Sequence, residues 1–247
     1  MTIAERFTAA VVDAAAPDLA GPELLPVRLA RASARVLRVD GAGLSLTDGS
    51  GRRIPLAASG PYATLAERLQ FTVGTGPCTA AEQSREPVFA VLDDLRRRWP
   101  AFADLLAGRT PYRAVVALPL PQALSGRGAL NLYFTDESAV PDLDVFEAMA
   151  VGELATSALS EAAVWSTWPA DRGPAWLQSP AARQRAEVWN AIAQLGFLFE
   201  VDYPEALALL RASAYAAGRS VDDLAADLLA GRVHPRELRP QATDGLS

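Results

Sequence analysis

The chain has 247 residues, 50% hydrophobic and 21% charged, with a formal net charge of -6; the length accommodates two ordinary domains, and the composition is that of a globular protein. One cysteine excludes a disulfide framework within a single chain and any Cys-rich zinc or iron–sulfur site. All 23 basic residues are arginine, the stretch MTIAERFTAAVVDAAAP lacks a basic region followed by an apolar core, and no apolar run approaches the ~20 residues that span a bilayer, so a cytoplasmic location is expected.

In chain order, residues 3–15 (IAERFTAAVVDAA) and 23–38 (ELLPVRLARASARVLR) have helical periodicity. AGLSLTD and RRIPLAA alternate apolar with small or polar residues around a turn at 48–51, which predicts a β-hairpin. YATLAERLQFT returns to helical spacing, PVFAVL is a short strand, and RRWPAFADLLAG is a short helix. YRAVVALPL and GALNLYFTD are strands, and PDLDVFEAMAVGELATSALSEAAV is a helix of about six turns. This succession predicts an α+β domain built around an antiparallel sheet over residues 1–164. Residues 165–180 (WSTWPADRGPAWLQSP), with three prolines, three tryptophans and no periodicity, are a linker by composition, and the tryptophans imply that it packs on a domain.

Residues 181–235 hold three short amphipathic segments, and residues 236–247 form a tail. Asp202 stands three residues before Glu205 with Pro204 between them, and Ser220 stands three before Asp223; both patterns mark helix starts. Gly218 and Gly231 supply helix stops, so the segments end near Phe199, Ala217 and Ala230. The apolar stripes are Val188, Ile192, Leu195 and Phe199, then Ala206, Leu209, Leu210 and Ala214, then Leu224, Leu228 and Leu229. Segments this short are marginal alone in water, so the stripes are expected to bury against one another, which predicts a three-helix bundle.

Residues 186–191, the run EALALLR, Ala214 and DLAADLLAGR give this bundle a resemblance to the ANTAR domain, the small RNA-binding module of transcription antitermination regulators. Ala193 and Glu200 depart from it at positions where family members commonly carry glycine. DGAGLSL, ERLQFTVGTGPCTAA, RRWPAFA, VALPL and GALNLYF in turn resemble the GAF domains that precede ANTAR modules in actinobacterial regulators. The pair of resemblances implies a sensory domain with a pocket between its sheet and covering helices, followed by an RNA-binding output. By analogy that pocket lies near Cys78, Trp99 and the strand from Val115 to Leu118, and the resemblance implies an unidentified small-molecule ligand or a signalling contact there. The long helix before the linker has a partly heptad-like stripe, consistent with core packing or with a homodimer contact.

Candidate chemistry is sparse. Cys78 follows a bend at 74–77 that opens a helix at Thr79, a setting that can lower a thiol pKa. With no histidine and no second cysteine in this domain, dyad and dithiol mechanisms are unavailable, and a buried structural thiol is expected. His234 is the sole histidine, so neither haem held by histidine in the sensory domain nor bilin attachment is expected, and no metal or enzymatic activity is predicted.

An RNA face requires arginines and stacking aromatics. Arg183, Arg185, Trp189 and Asn190 on the first helix, Arg211 and Tyr215 on the second, Arg219 at the turn and Arg232 after the third helix are its candidates, with RNA hairpins of nascent transcripts as partner. From residue 179 onward, however, seven arginines face nine carboxylates. A bundle that acts by dimerisation or protein docking without RNA is therefore the alternative reading.

Overall fold

The alternation in AGLSLTD and GALNLYFTD becomes a pair of neighbouring strands in the computed structural model, which describes residues 1–123, 126–165 and 173–238. The chain divides into two compact units, one of Met1–Gln70 and Thr75–Arg183, the other of Phe71–Gly74 and Gln184–Ser247.

The first unit contains, in order, α1 (Ile3–Asp13), α2 (Leu25–Leu37), β1 (Gly41–Thr47), β2 (Arg53–Ala58), α3 (Pro61–Val73, its end counted with the other unit), α4 (Pro77–Ser84), β3 (Val88–Val91), α5 (Leu92–Arg98), α6 (Pro100–Arg109), β4 (Ala114–Ala123), β5 (Gly126–Phe134) and α7 (Val145–Trp165). The sheet is antiparallel throughout, in the order β2-β1-β5-β4-β3. This is an α+β architecture.

Strand alternation divides the sheet's residues between two faces. On one face Leu44, Val116, Leu118, Leu130 and Leu132 join Leu29 of α2 and Val151, Ala155 and Leu159 of α7 in the main apolar core. The other face is covered by α4 and by part of α3, and it is polar where Ser45, Asn131 and Tyr133 come together.

Two local expectations are corrected. RRWPAFADLLAG forms parts of two helices, because Trp99 leaves the helical region (φ -142°, ψ 64°) and Pro100, which cannot extend a preceding helix, starts α6. The helix expected to open at Thr79 begins at Pro77, so Cys78 lies inside its first turn. Of the 165–180 stretch, residues 166–172 lie outside the described residues. Beyond them, Trp176 is 1% exposed with its indole Nε1 donating to Leu159 O at 3.0 Å, and Ser179 Oγ donates to Leu56 O at 2.7 Å. Residues 173–180 are therefore part of the first unit, and the structural division falls after Arg183.

The second unit contains α8 (Pro180–Phe199, its first turn counted with the first unit), α9 (Tyr203–Ala216) and α10 (Val221–Leu229). Asp202 and Glu205 form a reciprocal capping box, and Ser220 accepts from the Asp223 amide. Gly218 and Gly231 follow the helices with φ of 63° and 71°. Val188, Ile192 and Leu195 of α8, Leu210 and Ala214 of α9, and Leu224 and Leu228 of α10 form one buried cluster. Leu229 does not join it and is 42% exposed. One residue further along a helix turns a side chain by about 100°, so the stripe through Leu224 and Leu228 extends back to Val221 and Ala225 instead.

Candidate functional site

The polar face of the sheet holds a buried group of ionisable side chains. Glu67, on α3, is the hub. Its Oε1 accepts from Asn131 Nδ2 at 2.6 Å and from Tyr133 Oη at 2.7 Å, and its Oε2 lies 3.7 Å from Arg53 Nη2. The carboxylate approaches β1 closely because residue 43 has no side chain: a Cβ there would stand 2.2 Å from Glu67 Oε1.

Arg53 carries the network from Glu67 to α4. Its Nη2 donates to Ser45 Oγ at 3.1 Å and also meets Cys78 Sγ. The Cys78 amide donates to Gln70 Oε1 at 3.0 Å, and its thiol lies 3.6 Å from Glu82 Oε1. Glu82 Oε2 accepts from Thr47 Oγ1 at 2.8 Å. Five elements thus meet in one buried group, and each contributes through inward positions set by helical or strand periodicity.

Burial, opposed in part by Arg53, pushes the Cys78 thiol up to about 12, with Glu82 and Glu67 adding to the shift. Burial also raises Tyr133 well above the ordinary phenol range, reinforced by the charge and hydrogen bond of Glu67. For Arg53, burial disfavours the charge, but Cys78, Glu67 and Glu82 more than offset it, and the guanidinium is held above its usual range.

A thiol in this state is no nucleophile at neutral pH. Alkylation of Cys78 in the folded chain at pH 8 should run about a thousandfold slower than in denaturant, as the thiolate fraction follows the shift from 9.0 to about 12. Iodoacetamide labelling read by mass spectrometry checks this, and equal rates in both states would refute it. Between pH 9 and 12 the unfolded chain releases this proton while the folded chain keeps it. The thiol's contribution to stability is therefore full below pH 9 and lost as pH rises toward 12.

Two buried side-chain atoms of this group have no partner, Asn131 Oδ1 and Gln70 Nε2. Turning either amide over would not help. Asn131 Oδ1 would then face the Glu67 carboxylate, and Gln70 Nε2 would face the Cys78 N–H. No group of three or more His, Cys, Asp or Glu side chains that could hold a metal occurs among the described residues.

The pocket residues expected by analogy do not all share a face. Cys78 is fully buried on the polar side, and Trp99 packs with Ala81, Val88 and Ala117 on that side. Val115, two residues from Ala117, shares its face, whereas Leu118 points into the apolar core on the other. Residues three apart on a strand cannot line one pocket wall. Arg53, Glu67, Gln70, Glu82, Asn131 and Tyr133 were not among the expected site residues. Their signal was the helical i,i+3 spacing of Glu67 and Gln70 and an Asn at an inward strand position.

In the second unit the arginines expected to face RNA are largely engaged with the protein. Arg185 is 1% exposed, donating from Nε to Asp222 Oδ1 at 3.1 Å and from Nη2 to Oδ2 at 3.3 Å, with its guanidinium 3.3 Å from the Phe71 ring centroid. Arg211 donates from Nε to Phe71 O at 3.0 Å. Arg219 and Arg232 both pair with Asp227, whose carboxyl is held below the ordinary range by hydrogen bonds from these two arginines. Trp189 is half-buried, edge-on to Phe71 and tilted against Tyr203. Asn190 and Tyr215 are exposed, and so is Arg183 in the first turn of α8. The arginine at 239 lies outside the described residues.

No family model matches the chain, and no curated protein does. Among solved structures, the GAF domain of an Acinetobacter phosphoenolpyruvate-protein phosphotransferase is 13% identical with a TM-score of 0.44, over 67% of this chain and 96% of that one. The corresponding GAF domain from Coxiella burnetii is 16% identical with a TM-score of 0.42, over 65% and 96%. The A. aeolicus nlh2 GAF domain is 14% identical with a TM-score of 0.41, over 63% and 96%. No helix among the described residues is long and apolar enough to cross a membrane.

Proposed function

We propose that this chain is a signal-responsive transcription antitermination regulator, in which a GAF-type sensory domain controls an ANTAR-type unit that binds RNA hairpins. The observation that carries the reading is the C-terminal unit itself. Three helices, the second and third started by the Asp202 and Ser220 caps, bury one apolar cluster and leave Asn190 and Tyr215 exposed. Tyr215 offers a face on which an unpaired loop base can stack, and Asn190 offers a donor and an acceptor for a base edge. Bound to a hairpin that competes with a terminator, such a unit would let RNA polymerase read through. The sensory domain works without catalysis in this reading, and the chain acts in the cytoplasm as a homodimer.

The engagement of Arg185, Arg219 and Arg232 by Asp222 and Asp227 favours a second reading, in which the unit docks on protein and not on RNA. Fluorescence anisotropy of the full chain with a labelled two-hairpin RNA separates them. On the RNA reading, affinity falls steeply between 50 and 200 mM salt, as counterion release requires on the order of such a range. Tyr215→Ala is then expected to cost about 1–3 kcal/mol, the worth of one stacked base. Absence of binding to any hairpin pair at low salt would retire the antiterminator in favour of docking.

A further inference from the structure

A cavity of about 290 Å³ opens in the first unit beside the end of the β4–β5 pair and borders the buried Glu67 group at Glu82. Its walls bring together Arg85 from the C-terminal end of α4, Arg127 from β5, Glu82 from α4, and the apolar side chains of Leu120, Pro121 and Met149. The volume is near the lower end of ligand sites, roughly 300 Å³, large enough for a compact organic molecule.

The charge balance at the wall is positive. Both oxygens of Glu82 are engaged by donors from within, Oε2 by Thr47 Oγ1 and Oε1 by the Cys78 thiol. Arg85 and Arg127 are exposed at the cavity. A guanidinium is a planar fork matched to a carboxylate, and two of them beside an apolar floor select a molecule with an anionic head and a hydrocarbon body.

We propose that this cavity binds a small organic acid, its carboxylate between Arg85 and Arg127 and its apolar part against Leu120 and Met149. Glu82 gives the site a physical link inward. It lines the cavity and also holds Thr47 and Cys78, so a shift of its carboxylate on ligand entry is passed to Arg53 and Glu67. That consequence rests on the sensory reading of this domain; the binding itself does not.

Isothermal titration calorimetry of the full chain with octanoate tests the site. The expected result is saturable binding at one site per chain, with no binding of octanamide or octylamine. The double variant Arg85→Gln/Arg127→Gln should bind octanoate at least tenfold more weakly while keeping its thermal midpoint, since both side chains are exposed. Undiminished affinity in the double variant, equal binding of octylamine, or no saturable binding of octanoate would each overturn the proposal. Hairpin binding measured on the same preparation keeps the two readings apart. RNA binding without octanoate binding removes this site alone, and octanoate binding without RNA binding removes the antiterminator alone.

Discussion

Replacing Arg185 with alanine is expected to destabilise the C-terminal helical unit by about 3–5 kcal/mol, the cost of breaking a buried ion pair from one side. Asp222 is 2% exposed and would lose both guanidinium donors, leaving a carboxylate with water excluded. The contact of the guanidinium with the Phe71 ring would be lost as well. Asp222 also sits in the first turn of α10, where the free amides of the helix start offset part of that cost. The double change Arg185→Met/Asp222→Leu should be much milder, because it removes both charges and fills their volume. Hydrogen exchange of the α8–α10 amides in the full chain provides the measurement. A loss below about 1 kcal/mol in the single variant would show that the pair is not the buried element described here. The result also bears on function, since weaker RNA binding by Arg185→Ala would report unfolding of the unit and not a lost phosphate contact.

The second large effect is expected at Glu67. Alanine there removes the acceptor shared by Asn131 and Tyr133 and one carboxylate facing Arg53, so two buried donors lose their partner and a buried cation loses part of its compensation. A loss of about 3–5 kcal/mol in the sheet domain is the expected outcome by urea unfolding. Glu67→Gln should fall between alanine and the native residue, as it keeps a carbonyl acceptor but no charge for Arg53. An alanine variant as stable as the native chain would mean that the group is open to water in solution.

Much of the architecture is legible in the sequence. The Asp202 box and the Ser220 cap involve residues three apart, and the hairpin is encoded by alternation around a turn; such signals are contained within a few residues. Even so, two errors lay within reach of the same rules. Trp99-Pro100 marked a helix break, and Pro77, a favoured first residue of a helix, marked the start of α4. The Glu67 group was harder to read, since a glutamate in an amphipathic helix is ordinarily solvated and only its partner strand says otherwise.

By itself the sequence determined the type of most elements and the ends of the C-terminal helices. These depend on backbone propensity and capping, which are local. The tertiary structure alone decided which charges are buried. Arg185 meets an aspartate 37 positions away, and Glu67 meets an asparagine 64 positions away. Either side chain would be an ordinary surface charge on its own helix. Desolvation and pairing are set by what packs opposite, and that is information no single segment contains.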